Sequence, residues 1–165
     1  MLTEEEILSP PLRENQTKEL KGKNCEGTGK TATAFLNTDG GYLIFGIDDE
    51  GEPVDPNTFS LEQIRDAVQR QITSTISPDP FRMNLIEIFS NPFKNINLLV
   101  VKVSKSPEIH LHKGVIQFRN AGSNRGITNK AETVRILSKE VNEEIYWRLL
   151  IPKLNNRGLK ATDFG

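Results

Sequence analysis

The sequence contains one cysteine, Cys25. It can therefore form no internal disulfide and no zinc centre built on cysteines. That scarcity suits a reducing compartment. The acidic start, MLTEEEILS, has neither the basic flank nor the apolar stretch of a signal peptide, so a cytoplasmic protein is expected. No apolar run approaches the ~20 residues that a membrane-spanning helix needs. Charge of one sign is also lacking. The net charge is −1 and the isoelectric point about 6.2, so nothing global marks a nucleic-acid binder. Internal repeats and low-complexity tracts are absent. The chain has two histidines, His110 and His112, which alternate and so face one side of an extended segment. With no third ligand in view, they are expected on an exposed strand edge rather than at a metal.

What is present describes a folded chain. Its 165 residues are the size of one domain with a sizeable core, and 36% hydrophobic with 26% charged residues excludes a disordered composition. The charge is unevenly spread. From residue 39 to 66 the acids are Asp39, Asp48, Asp49, Glu50, Glu52, Asp55, Glu62 and Asp66, against Arg65. From 101 to 135 the bases are Lys102, Lys105, Lys113, Arg119, Arg125, Lys130 and Arg135, against Glu108 and Glu132. Such a split suits either two solvated faces or metal-binding carboxylates beside a phosphate-binding surface.

Punctuation and periodicity predict an α+β domain over residues 1–152, with 153–165 as a tail or linker. Thr3 and Glu6 form a capping box for a helix over 4–8, ended by Pro10 and Pro11. TKELKGK reads as a short strand. Thr28 is expected to cap a helix through KTATAFLNT, stopped at Gly40-Gly41. YLIFGID is apolar enough for a strand buried on both faces. Ser60 and Gln63 box the start of a helix whose Leu61, Ile64, Val68, Ile72 and Ile76 recur at helical spacing. FRMNLIEIFS and NINLLVVKVS predict a hairpin turning at NPFK, and GVIQFRN a further strand. A helical segment is expected over 130–151, with Tyr146 and Trp147 used in packing or at an interface.

GTGKT, residues 27–31, has the look of a phosphate-binding loop. The full pattern G-x-x-x-x-G-K-[ST] would place Asn24 where glycine is required, after a segment too polar for a central strand. Carboxylates are the stronger lead. Asp48 and Asp49 end the most hydrophobic strand, and Glu14 and Glu19 flank a short polar segment. A rigid strand that delivers acids can hold hard divalent cations through oxygen. Such ions activate water and neutralise phosphoryl charge, as phosphodiester hydrolysis requires. Lys21, two residues past Glu19, would share its strand face and reach a phosphate. Ordinary surface acids are the alternative. Arg119, Arg125, Lys113 and Ser123 are candidates for phosphate contacts. Phe118 is expected in the core, and Asn37, near a helix end, at a turn or beside the acids.

ENQTKELKG, FLNTDGGYLIFGIDDEGEPV and HLHKGVIQFRNAGSN together resemble the AlbA-type domain of the Schlafen family across about residues 14–128. Glu14, Glu19 and Lys21 match that family's first motif. Ala34, Phe35, Asn37, Thr38, Gly40, Gly41, Gly46, Ile47 and Asp49 match the second, and Arg119, Gly122 and Ser123 the third. Asn15 and Leu20 stand where serine and phenylalanine are usual, and the Arg119–Gly122 spacing is one residue longer. The resemblance implies an α+β nucleic-acid-binding domain. It further implies a metal-dependent endoribonuclease for structured RNA such as tRNA, of the kind used as a toxin or defence effector. Glu14, Glu19 and Asp49 would then hold Mg²⁺ or Mn²⁺. Many relatives imply instead a non-catalytic DNA- or RNA-binding module of a regulator. Because such nucleases often grip RNA with two lobes, a homodimer or a partner domain is expected.

Overall fold

The computed structural model describes residues 4–9 and 12–140. By internal contacts the chain divides into two units, residues 1–127 and 128–165. The domain boundary expected at 152, the end of the last helix, Tyr146 and Trp147 lie outside the described residues.

The first unit is α+β. It is built on a mixed sheet of order β1-β2-β5-β4 and a second, antiparallel sheet of order β3-β6-β7-β8. The chain opens with α1 (Glu4–Ile7) and β1 (Lys18–Gly22), then α2 (Thr28–Leu36) and β2 (Gly41–Phe45), which runs parallel to β1. α3 (Leu61–Thr75) follows and leads directly into β3 (Ile76–Ser77). β4 (Ile86–Phe93) and β5 (Ile96–Val103) form a hairpin, with β5 antiparallel to β2. β6 (Leu111–His112), β7 (Val115–Asn120) and β8 (Ser123–Ile127) complete the second sheet.

Period-2 alternation decides how the first sheet is covered. Leu43 and Phe45 of β2, with Leu99, Val101 and Val103 of β5, face α2 and α3, where Phe35, Leu36, Ile64, Val68 and Ile72 pack on them. Tyr42, Ile44, Leu98 and Val100 point the other way, against Ile7 of α1 and against Leu8, Leu12 and Leu20. β2 is therefore buried along its whole length, as its unbroken apolar run predicts. α3 starts where its capping box places it, with Ser60 Oγ accepting from Gln63 N at 3.3 Å, and buries Ile64, Val68 and Ile72.

Three expectations move. Thr28 lies inside α2, its hydroxyl donating to Cys25 O at 2.7 Å, while Gly27 caps the helix at φ 75°. The β4–β5 turn falls at the end of NPFK rather than at its proline, on Lys94 and the following Asn95, with φ of 44° and 66°. β4 is an edge strand, where Pro92 needs no donor, so the ladder continues past it to Phe93. A missed strand, β8, pairs with β7.

The second unit contributes α4 (Lys130–Glu140), whose first turn is capped by Asn129 Oδ1 accepting from Glu132 N at 3.1 Å.

His110 is the clearest departure. It is fully buried, with Nδ1 2.7 Å from Pro78 O and Nε2 2.7 Å from Ser106 Oγ. A carbonyl can only accept, so Nδ1 carries the proton and Nε2 accepts from the serine: the neutral imidazole satisfies both contacts. Burial lowers its pKa below the ordinary value of 6.5, against opposing pulls from the Pro78 carbonyl and Glu108. The sign follows. The unfolded chain binds the proton more readily, so His110 contributes full stability above about 6.5, lost as pH falls through the folded value. Urea unfolding should show stability dropping between pH 7.5 and pH 5, with a smaller drop in His110→Gln. Equal pH slopes for the two proteins would refute this.

Candidate functional site

The sequence around β1 makes a platform of main chain and acids. Asn15 Oδ1 accepts from Thr17 N at 2.9 Å, a turn that a serine could also make, so this departure from the family motif keeps the acceptor. Glu14 precedes that turn, and its Oε1 accepts from Leu20 N at 3.3 Å. Glu19 lies on β1, opposite Leu43 of β2. The β1–β2 register shifts between Leu20 and Gly22, so the simple alternation expected to put Lys21 on Glu19's strand face is broken. Lys21 Nζ instead donates to Glu26 O at 2.5 Å, towards the start of α2.

Past β2, the chain turns tightly. Asp48 Oδ1 accepts from Glu50 N and Glu52 N, both at 2.9 Å, so its carboxylate holds the turn. Gly51, at φ 81°, closes that turn against Leu12 O, where a Cβ would come within 2.6 Å. Asp49 is left exposed at the tip.

Glu14, Glu19, Lys21, Asp48 and Asp49 line one cleft of about 360 Å³, with Leu20, Gly22 and Asn24. Partial withdrawal from water, then the charges of Glu19 and Asp49, raises the Glu14 pKa above its ordinary 4.5; the Leu20 N–H and Arg119 pull it down. This crowding of like charge is what a cation relieves. The donors are of the right kind for a hard cation, and the two exposed acids can turn. As the side chains stand, no three acids, histidines or cysteines among the described residues are grouped closely enough to hold an ion.

Glu19 is held from behind. Its Oε1 accepts from Arg119 Nη1 at 3.0 Å and its Oε2 from Thr31 Oγ1 at 2.5 Å. Arg119, expected to meet phosphate, has a side chain with no solvent exposure. Its Nε donates to Asn15 O at 3.2 Å, Nη2 to Asn15 O and Lys18 O at 2.9 and 3.0 Å, and Nη1 also to Asn124 Oδ1 at 2.9 Å. All five guanidinium N–H groups are thus used inside the protein. The cation also sits 4.9 Å from the centre of the Phe35 ring.

The third motif meets the first at the β7–β8 turn. Asn120 pairs with Ser123, leaving Ala121, at φ 54°, and Gly122 as the turn. Ala121 N donates to Gln16 Oε1 at 2.6 Å, and a Cβ on Gly122 would touch Glu14 at 3.8 Å. Ser123 is exposed beside this turn, and Arg125 is exposed further along β8, across from half-buried Phe118. Lys113 is exposed at the opposite end of β7, roughly 15–20 Å from the Ser123 end by strand rise. It is not brought to the acids. The half-buried His112 lies against the start of α2 near Lys30 and Lys113, its pKa lowered by burial and then by those two charges. Asn37 does not contact the acids; it holds the backbones of His110 and Gln117. Thr31, Asn124 and Gln16 are the residues that sequence reasoning missed, and GTGKT drew attention to Thr31 for the wrong chemistry.

No curated protein matches the chain. Among solved structures it is similar to the DIP2311 protein of Corynebacterium diphtheriae, with 18% identity and a TM-score of 0.51 over 77% of this chain. The match takes in 24% of that protein, so the chain spans about a quarter of its length. It is also similar to the N-terminal domain of an ATP-dependent DNA helicase RecG-related protein from Nitrosomonas europaea. There the identity is 26% and the TM-score 0.40, over 53% of this chain and 62% of that one. The family model described as Schlafen, AlbA_2 matches residues 12–148, a span that takes in the cleft, the α2–β2 motif and the β7–β8 turn. The chain belongs to the Schlafen AlbA_2 family.

Proposed function

We propose that this chain is a nucleic-acid-binding domain whose acidic cleft cleaves RNA with the help of a divalent cation. The observation that carries the reading is the convergence of Glu14, Glu19, Lys21 and Asp49 on one cleft, with Glu14's carboxyl pushed up by partial burial and then by its acidic neighbours. Glu14, Glu19 and Asp49 would hold Mg²⁺ or Mn²⁺, which when bound supplies an activated water and neutralises phosphoryl charge. Lys21 places a positive charge on the cleft wall, where it steadies a phosphate. Ser123, which follows the Gly122 that lies near Glu14, gives a hydroxyl to the nucleic-acid backbone, and Arg125 and Lys113 hold the strand further out. Structured RNA such as tRNA is the favoured substrate. A second copy of the chain supplies the opposite lobe.

The test is incubation of the purified chain with tRNA and with DNA, in Mn²⁺ or EDTA, with the mass of the active species followed by light scattering. Cleavage of RNA in Mn²⁺ is expected, falling by about 100-fold or more in Glu14→Gln and in Asp49→Asn, beyond the cost of losing a ligand's outer partner. Cleavage unchanged by EDTA or by both substitutions would remove the metal site from the proposal. Full activity at monomer mass would remove the second copy.

A second reading is a binding module without catalysis. The engagement of both Glu19 oxygens by Arg119 and Thr31 favours it. It predicts salt-sensitive binding with no cleavage in either condition.

A further inference from the structure

GTGKT leaves one residue that neither a nucleotide nor the cleft chemistry accounts for. Thr31 is 2% exposed and sits inside α2, where a threonine ordinarily returns its hydroxyl to the carbonyl four residues back. Thr33, on the same helix, does so, donating to Gly29 O at 2.7 Å. Thr31 reaches out of the helix to Glu19 instead.

The proton bookkeeping at this point has a single solution. A guanidinium only donates, so the Asn124 atom 2.9 Å from Arg119 Nη1 is the amide oxygen. The amide nitrogen then faces Thr31 Oγ1 at 2.8 Å and must donate to it. Thr31's own proton is left for Glu19 Oε2 at 2.5 Å, while Arg119 Nη1 supplies Oε1 at 3.0 Å. Four side chains from β1, α2, β7 and β8 thus close a hydrogen-bonded ring, with one donor and one acceptor at each link. Each Glu19 oxygen receives one bond from the ring. Since a carboxylate offers about four acceptor positions, the remainder stay available on the cleft side.

We propose that Thr31, Asn124 and Arg119 are positioning residues that lock Glu19 in one rotamer at the cleft wall, with its remaining lone pairs kept for the ligand. The role of the lock in cleavage rests on the reading of the cleft given above. The lock itself is a property of the ligand-free protein. Glu14 and Asp49, both exposed, are the acids that move to a ligand, and Glu19 is the fixed point they close on. Fixing one carboxylate in advance spares its rotamer entropy when the ligand binds.

The test compares Thr31→Val, which keeps the shape and loses the hydroxyl, with Thr31→Ser, which keeps the hydroxyl. Three-bond couplings along the Glu19 side chain, measured on labelled, metal-free protein, report its rotamer. Cleavage of tRNA in Mn²⁺ gives kcat and KM separately. One rotamer is expected in the parent and in Thr31→Ser, and averaged couplings in Thr31→Val. In Thr31→Val kcat should fall about 10-fold, with KM within about two-fold, as for loss of an outer partner. Asn124→Ala breaks the ring one link away, at a half-buried residue, and should also average the couplings should Thr31→Val not fold. A Glu19 that keeps one rotamer in these variants overturns the proposal. So does a Thr31→Ser variant as impaired as Thr31→Val, since methyl packing would then be the cause. A parent protein without cleavage, whose Glu19 loses its rotamer in Thr31→Val, overturns the nuclease reading and upholds the lock.

Discussion

Replacing Arg119 by methionine should destabilise the first unit by about 3–5 kcal/mol, the range seen when one partner of a buried ion pair is removed. Methionine keeps much of the aliphatic stem but loses the guanidinium, its place over the Phe35 ring included, so the loss reports that group. Its removal takes the side-chain donor from the carbonyl of Asn15, the amide oxygen of Asn124 and one oxygen of Glu19, whose side chain is 13% exposed, while the Lys18 carbonyl keeps its bond from Asn15 N at 3.0 Å. Lysine is no substitute. An ammonium has three donors on a flexible stem and cannot reproduce a planar fork aimed at four different acceptors. Arg119→Lys should therefore recover less than half of the loss in chemical denaturation. A lysine variant as stable as the parent would show that charge alone, not the fork, is what the site needs. The same experiment separates Arg119 from the phosphate contact first expected of it. A residue that met substrate would show its loss in RNA affinity with stability intact, whereas here stability should fall first.

How far the sequence reveals such a site depends on the separation of its parts. Glu14, Glu19 and Asp49 could be proposed because each lies in or next to a locally coded element (a turn, a short strand, the turn past a buried strand) and because the motifs around them resemble the family's. β2 and α3 were legible for the same reason, through an unbroken apolar run and a capping box. The ring was not, because Arg119 reaches Glu19 across 100 residues and Asn124 reaches Thr31 across 93. An arginine in a basic stretch looks like a surface cation until the fold folds it under Phe35. His110 misled in the same way. Its alternation with His112 suggested an exposed strand, but the backbone there is pinned to Asn37, 73 residues earlier, and the ring is carried inward. The hairpin turn sits at the end of NPFK rather than at its proline for a different reason. Pro92 is a strong local turn signal, and only knowing that β4 is an edge strand removes its force.

Asn37 shows what the family's central motif is for. It follows α2, 6% exposed, and its amide makes three buried bonds to another part of the chain. Nδ2 donates to His110 O and to Gln117 O, both at 2.9 Å, and Oδ1 accepts from His110 N at 2.8 Å. Next to it, Thr38 Oγ1 accepts from Arg119 N at 3.0 Å, and Gly40, at φ 72°, brings the chain back to β2 with its N–H on Phe35 O at 2.8 Å. The motif that looked like a helix stop is therefore also a dock for β7, and β7 carries Arg119 to Glu19. Asn37→Ala strands one N–H and two carbonyls in the interior. At about 1–3 kcal/mol for each unsatisfied group, a total loss of about 3 kcal/mol or more is expected. Asn37→Asp is the sharper test. It keeps the shape and the acceptor for His110 N, but it turns a double donor into a carboxylate facing two carbonyl oxygens. The aspartate variant should be less stable than the alanine variant at neutral pH, and the gap should narrow in acid as the buried carboxyl takes up a proton and donates to one carbonyl. An aspartate variant more stable than alanine at pH 7.5 would mean that Asn37 acts by filling space, and that the second sheet is held to α2 by packing rather than by this amide.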